Sequence, residues 1–225
     1  MMAARKISNM LALAVLSLLH EKPMHPYEIS ATMKQRGIPD VIKLNNGSLY
    51  SVVEALLKQG WIIQLETQRE GKHPERTIYA PTEAGRSGFH DWIRELIYEP
   101  AKEYPHFPAA LAFIGHIPPL ETVELLDSRI GFIKKAIAER RAGIEFSKGM
   151  ELSRIFVIEA EYIIHQLESE LQWLMTFKED IKNGSLTEQS GGEIIWHMVT
   201  PPDDEQLQEL KTISKGTTNH DRTTQ

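Results

Sequence analysis

The hydrophobic positions of the first hundred residues repeat with helical spacing in four segments and with strand-like spacing in two short ones. In chain order they predict helices at 8–21, 26–36 and 46–59, strands at 61–67 and 77–80, and a helix at 83–97. Ser8 is the expected N-cap of the first helix, Pro26 suits the first turn of the second, and Gly37 suits its left-handed end. Three helices, a two-stranded hairpin and a fourth helix are the order of a winged helix-turn-helix domain.

The third helix of this set has two faces of opposite character. Projected at about 100° per residue, its apolar face holds Leu49, Val52, Val53 and Leu56, and its opposite face holds Gly47, Ser51, Glu54 and Lys58. Tyr50 falls on the border between the two faces. One face is therefore expected to pack in the core of the domain, while the other stays open to a partner.

Short motifs at compatible spacings accompany this pattern. They are an apolar run at 13–19, His25-Pro26-Tyr27-Glu28-Ile29, Asn46-Gly47-Ser48-Leu49-Tyr50 with Leu56, Gly60-Trp61-Ile62, Tyr79, and Thr82-Glu83-Ala84-Gly85-Arg86. With these motifs, residues 10–97 resemble the DNA-binding domain of PadR-family transcriptional regulators. Pro26 departs from the family pattern, in which many members carry Gly, but the start of a helix tolerates this exchange. The resemblance implies a regulator that binds DNA through a winged helix and dimerises through a C-terminal helical domain. Because most members of the family are repressors, a repressor is expected.

The charge of the chain is unevenly distributed. The formal net charge is −6, but residues 1–97 contain 12 Lys and Arg against 10 Asp and Glu, whereas the remainder contains 13 against 21. Only the surface that meets phosphate has to be basic. The acidity of the second part therefore permits DNA binding by the first part without demonstrating it.

The third helix is the one expected to enter a DNA groove, with flanking donors and cations on phosphates. The expected DNA-binding residues are His25, Tyr27, Lys43, Asn46, Gly47, Ser48, Tyr50, Ser51, Lys58, Arg69, Lys72, His73 and Arg76. The first helical turn combines small side chains with free backbone N–H groups, which suits a phosphate. By resemblance to the family, Tyr50 would donate its hydroxyl to the DNA backbone and Ser51 would face the groove. The four basic residues of the hairpin would lie along the minor groove.

Each of these assignments has a purely structural alternative. Tyr50 can serve as a half-buried ring that anchors the helix, Asn46 as its cap, and Lys58 as a complement to its C-terminus. A basic hairpin is often a solvated turn. Glu54 has two interpretations that the sequence leaves open: it accepts a hydrogen bond from cytosine N4, or it lies beside the groove and limits affinity.

Two long helical patterns, at 120–142 and 151–182, occupy the second part of the chain. Five prolines between 98 and 119 precede them and predict a bent connector with a short helix at 109–115. The apolar stripes are Val123, Leu126, Ile130, Ile133 and Ile137 in the first pattern, and Ala160, Ile163, Leu167, Leu171, Leu174 and Ile181 in the second.

These stripes predict a dimer interface, because the same helices of a second copy are the economical way to bury both of them. The interface residues expected are Val123, Leu126, Ile130, Ile133, Ile137, Ile163, Leu167, Leu171 and Leu174. An intramolecular helical hairpin is the alternative. The resemblance favours the dimer, since Leu171-Gln172-Trp173-Leu174 is similar to the end of the family's dimerisation domain.

The fold expected from these observations is mainly α. It consists of an α+β winged helix-turn-helix with a two-stranded wing at 1–97, a connector at 98–119, an all-α dimerisation domain at 120–183 and a polar tail at 184–225. The expected partners are a pseudo-palindromic double-stranded operator, a second copy of the chain and a possible small aromatic or lipophilic effector, with no membrane. A cytoplasmic location fits this set.

Catalysis has no positive indication in the sequence. The chain lacks Cys, a nucleotide-binding glycine motif, GxSxG and HExxH, so neither a cofactor nor a metal is expected. Aromatic residues such as Trp92, Phe107, Phe113, Tyr162 and Trp173 could line an effector pocket, but such residues more often belong to a plain core. Two other functions stay open: a protein-binding module that kept the winged fold but lost DNA affinity, and a small all-α enzyme.

Overall fold

A computed structural model of the chain describes residues 7–68 and 76–186. Its elements are the helices α1 (Met10–Glu21), α2 (Pro26–Gln35) and α3 (Asn46–Lys58), the strands β1 (Ile62–Gln68) and β2 (Arg76–Pro81), and the helices α4 (Glu83–Tyr98), α5 (His106–Leu111), α6 (Pro119–Gly149) and α7 (Ile158–Asn183). Single 3-10 turns lie at Ile38–Asp40, Ile114–His116 and Arg154–Phe156. The chain divides into two compact units between Glu103 and Tyr104.

The first unit is built around α1. This helix is apolar on almost every side, so it is stable only where other elements cover it all round. It contacts α2, α3, α4 and β2, and Leu16 and Val15 are fully buried. Trp92, from α4, is buried in the same core. The first unit therefore has one continuous hydrophobic core with α1 at its centre.

The helix caps correct two sequence-based expectations. Asn9, not Ser8, is the N-cap of α1, and its side chain accepts a hydrogen bond from the N–H of Leu11 at 2.9 Å. Asn45 caps α3 by accepting from the N–H of Ser48 at 2.7 Å, so the alternative in which Asn46 is the cap is wrong. A cap needs an extended backbone, and Asn9 and Asn45 have it. Thr82 caps α4 by accepting a hydrogen bond from the N–H of Gly85 at 3.0 Å.

The two strands form an antiparallel hairpin at the side of this core. Its register runs from Ile62 opposite Pro81 to Gln68 opposite Arg76. The close approach of α4 to the base of the hairpin depends on Gly85, because a Cβ there would lie 1.9 Å from the carbonyl oxygen of Trp61. The hairpin, called the wing below, is thereby held at a fixed position in the unit.

The second unit is an antiparallel pair of long helices preceded by a short one. Asp127 of α6 pairs with Lys178 of α7, and Arg141 further along α6 pairs with Glu168, which fixes the opposite directions. The short helix α5 covers His106–Leu111 rather than 109–115. Its Pro108 lies in the first helical turn, where no intrahelical N–H bond is lost.

The start of α7 also differs from expectation. A turn with Glu151 at φ 56° and a 3-10 turn precede it, so the helix begins at Ile158 and not at 151. Ile164, not Ile163, belongs to the core between α6 and α7. The two positions are adjacent in sequence and therefore lie about 100° apart around the helix axis.

The apolar stripes of α6 and α7 face each other within one chain. The buried residues of this core are Leu126, Ile130, Ile133, Ile137, Ile144, Ile164 and Leu174, with Leu167 and Leu171 packed against them. Seven of the nine side chains expected at a dimer interface thus lie in an intramolecular helical hairpin, which was the alternative interpretation. Val123 and Ile163 lie outside this core and are partly buried.

One flank of α6 presents a second apolar surface, which is open to solvent. Large apolar side chains on it remain exposed: Leu125 by 52%, Phe132 by 75% and Phe146 by 71%. Phe132 and Phe146 lie 7 and 21 positions after Leu125 and therefore on the same side of the helix. Ala136 and Gly143 fall on this side too at about 100° per residue. We call Leu125, Phe132, Ala136, Gly143 and Phe146 the open flank of α6.

Candidate nucleic-acid interface

The helix α3 presents its polar face to solvent because its apolar face is fixed in the core. Leu49 and Leu56 are 1% and 0% exposed, and Val52 and Val53 are also buried. The opposite face is exposed and consists of Gly47, Ser51, Glu54 and Lys58. At about 100° per residue these four residues lie within about 60° of one another. The predicted division of this helix into two faces is confirmed, and we call the exposed set the outer line of α3.

The first turn of α3 lies beside the first turn of α1. Ser8, Asn9, Asn45, Gly47 and Ser48 line a shallow groove of about 630 Å³. The capping Asn45 satisfies the N–H of Ser48, while the preceding N–H groups of the helix have no intrahelical acceptor. Sequence reasoning missed Ser8 and Asn9 for this surface, because only the packing of α1 against α3 brings them there.

The two tyrosines expected at DNA are both exposed. Tyr50 is 51% exposed and Tyr27 is 73% exposed, so neither ring is enclosed in the core. His25, next to Tyr27, has a structural role that the sequence did not indicate. Its Nδ1 accepts a hydrogen bond from the N–H of Tyr27 at 3.1 Å and so caps α2. With Nδ1 as acceptor, the proton of the neutral ring resides on Nε2.

The cations of the first unit fall into two groups. Those with a carboxylate partner are Lys22, Arg36, Arg86 and Arg94. Lys34, Lys43 and Lys58 are exposed and form no ion pair with any residue that the structure describes. Lys43 and Lys58 lie at the two ends of α3, which places a positive charge at each end of the outer line.

Arg36 illustrates the paired group. Its guanidinium donates to both carboxylate oxygens of Glu21, at 2.5 and 2.8 Å. These hydrogen bonds lower the pKa of Glu21 and raise the pKa of Arg36. This pair joins α1 to α2 and leaves little free charge there, in contrast to the lysines beside α3.

Most of the wing tip lies outside the described residues. Arg69, Lys72 and His73 fall in the segment 69–75, and of Arg76 only the backbone, at the start of β2, is described. The assignment of these four residues to DNA remains a prediction. The ends of the two strands on either side of this segment are described, and Gln68 pairs with Arg76 there.

The aromatic residues considered for an effector do not all behave alike. Trp92 is buried in the first unit, and Phe113 and Tyr162 are 68% and 63% exposed. Phe107 and Trp173 meet edge to face in the second unit, with ring centroids 6.3 Å apart. Phe107 packs against the α6–α7 core, whereas Trp173 is 46% exposed.

Neither a metal centre nor a membrane span is found in the described part of the chain. Residues 7–68 and 76–186 contain no cluster of three His, Asp or Glu side chains that could hold a metal ion. No helix in these ranges is long and apolar enough to cross a bilayer.

Comparison with known proteins gives a family and a set of similar folds. The model of the family described as "Transcriptional regulator PadR-like family" matches residues 15–91. A search of curated proteins finds no match. Among solved structures, Bacillus subtilis PadR in complex with operator DNA matches with a TM-score of 0.63 and 19% identity, over 76% of this chain and 99% of that one.

Two further structures have a similar fold. Bacillus subtilis PadR in complex with p-coumaric acid has a TM-score of 0.61 and 17% identity, over 76% of this chain and 98% of that one. The Vibrio cholerae virulence activator AphA has a TM-score of 0.58 and 16% identity, over 77% of this chain and 99% of that one. They confirm a mainly α winged-helix fold with a helical C-terminal region. The family is one of regulators and not an enzyme class. Residues 15–91, about a third of the chain, thus match the PadR-like transcriptional regulator family.

Proposed function

We propose that the protein is a homodimeric, sequence-specific repressor that binds a pseudo-palindromic operator in the cytoplasm and is released by a small molecule or a stress signal. The observation that carries this proposal is the outer line of α3. It is exposed and polar, it ends at Lys58 and follows Lys43, neither of which has an ion-pair partner among the described residues, and the apolar face of the helix is fixed in the core.

DNA contacts follow from the arrangement of the first unit. The outer line would enter the major groove, which admits a helix, and the small residues Gly47 and Ser48 would allow close approach to a phosphate. Lys43 and Lys58 would each neutralise a phosphate, with Tyr27 and Tyr50 as further donors to the backbone. The nearby Ser8 and Asn9 extend this set, and the basic wing residues 69, 72, 73 and 76 would follow the minor groove.

The open flank of α6 is the surface we propose for the second copy. Phe132 and Phe146 are more than two-thirds exposed, which is unfavourable for a helix facing water. Leu125 and Phe132 also border a groove of about 470 Å³ that reaches Leu167 of α7. Burial of each large apolar side chain would contribute about 1.5–3 kcal/mol. A two-fold dimer would place its half-sites about 34 Å apart, one helical turn of DNA.

Release by a signal rests on the similar proteins. Bacillus subtilis PadR has been solved both with operator DNA and with p-coumaric acid. A small aromatic or lipophilic compound is accordingly the proposed class of effector for this chain. The same comparison includes an activator, AphA, so the sign of regulation is itself part of the proposal.

Fluorescence anisotropy against the DNA upstream of its own gene, at two salt concentrations, tests DNA binding. We expect affinity that falls steeply with salt, and we expect Lys58→Ala to weaken all sequences alike and to reduce the salt slope by about one. Arg94→Ala is the matched control, because Arg94 is already paired with Asp91 at 2.8 Å. Absence of binding at low salt, or binding without salt dependence, would contradict the proposal and favour a protein-binding module.

A further inference from the structure

Glu54 occupies the middle of the outer line of α3. It is exposed, and it forms no hydrogen bond or ion pair with any residue in the described ranges. Lys58 lies four residues later, in the favourable order for a helical Glu–Lys pair, yet the two side chains do not meet. The carboxylate is therefore exposed and has no partner among the described residues, at the centre of the surface proposed for DNA.

A carboxylate in that position is unfavourable beside phosphates unless it finds a donor on the DNA. Like charges repel, and the lysines at the two ends of α3 can compensate the neighbouring phosphates but not a carboxylate placed between them. Two amino groups face the major groove, cytosine N4 and adenine N6. Only hydrogen bonding to one of these groups converts Glu54 from a repulsive into an attractive group.

The chemistry of the two base edges separates them. Adenine presents its N7 acceptor beside the N6 amino group, and that lone pair repels a carboxylate. Cytosine presents only its N4 amino group on the major-groove edge. We infer that Glu54 is a specificity-determining residue that accepts a hydrogen bond from N4 of a cytosine in each half-site.

The neighbouring Ser51 sharpens this placement. Along the helix axis Ser51 and Glu54 are about 4.5 Å apart, compared with about 3.4 Å between successive base pairs, so the two side chains would face neighbouring bases. The hydroxyl of Ser51 donates to the carbonyl of Gly47 at 3.1 Å, which keeps it close to the helix and leaves the longer Glu54 to reach deeper. The inference rests on the proposed DNA-binding function.

Selection from a random DNA pool, followed by anisotropy on the selected sites, tests this inference. Wild-type protein is expected to select a cytosine at one position of each half-site. Exchange of that base should weaken binding about 5- to 150-fold for the wild type. For Glu54→Ala, which removes the acceptor, the same exchange should change affinity less than about twofold, whereas Glu54→Gln should shift the preference from cytosine towards adenine. Glu54 is exposed, so both variants are expected to fold, which circular dichroism checks.

Asp40→Asn is the matched control. Asp40 is an exposed carboxylate in the turn before α3 and forms no ion pair among the described residues. Its loss removes one negative charge from the same unit and should leave base preference unchanged.

The outcomes separate the inference from the proposed function. If Glu54→Ala binds all sequences more tightly and keeps the wild-type base preference, Glu54 merely limits affinity and the inference is overturned while DNA binding stands. If the wild-type protein selects no sequence at all, the proposed function fails and the inference fails with it.

Discussion

The two units of this chain solve the burial of apolar surface in different ways. In the first unit, α1 is enclosed by α2, α3, α4 and β2, and the fully buried Leu16 shows how complete that enclosure is. In the second unit, α6 and α7 cover only one face of each other, and Phe132 stays 75% exposed. The first unit is therefore complete as a single copy, whereas the second offers a surface that a second copy could cover.

The largest effect is expected from Leu16→Ala in the first unit. This change removes a buried side chain from the centre of the core and should lower the free energy of unfolding by about 2–5 kcal/mol. Chemical denaturation followed by circular dichroism measures it. Ser17→Ala, at an exposed position of the same helix, is the control and should stay within about 0.5 kcal/mol of the wild type. A similar small loss for both variants would show that α1 is not enclosed as described.

A smaller effect on stability, but a large one on assembly, is expected from Phe132→Asp in the second unit. The side chain is exposed in one copy, so the α6–α7 core should survive, while a charge on the open flank should prevent its burial against a second copy. Light scattering after size exclusion should give a dimer for the wild type and a monomer for the variant. Leu120→Asp makes the same kind of change at a position 82% exposed but outside the open flank, and it should leave the dimer intact. The reverse pattern for these two variants would contradict the proposed interface.

The same contrast explains how far the sequence could predict the molecule. In α3 the apolar and polar positions alternate with one period, so the buried Leu49 and the exposed Ser51 were both predictable. In α6 the stripe that includes Ile130 was predicted equally well, but its partner was not. A heptad pattern specifies that a face is buried, and says nothing of whether the covering helix belongs to the same chain.

Finer details depended on geometry that the sequence does not encode locally. Ser8 and Asn9 are both good caps, as are Asn45 and Asn46, and the choice is decided by which residue has the extended backbone in the folded unit. The proximity of the starts of α1 and α3 arises only from packing. Candidate DNA-binding residues within α3 could thus be predicted, whereas those contributed by α1 could not.

The smallest effect is expected from the ion pair that joins α1 to α2. Hydrogen bonds from Arg36 lower the pKa of Glu21 below its ordinary value of 4.5 in the folded protein. A carboxyl with a depressed folded-state pKa contributes stability above its unfolded-state pKa, and that contribution is lost as the pH falls through the folded-state value.

Because both side chains of this ion pair are nearly half exposed, at 45% and 48%, the contribution should not exceed about 0.5 kcal/mol. Glu21→Gln should thus be slightly less stable than the wild type at pH 7, and the difference should vanish at an acidic pH below the folded-state pKa of Glu21. Denaturation curves at both pH values measure it, with Asp40→Asn as a control that removes an unpaired carboxylate. If the loss of stability of Glu21→Gln persisted unchanged at low pH, packing and not the ion pair would connect the two helices at this point. The paired cations of the first unit would then differ from the unpaired ones in geometry but not in their contribution to stability.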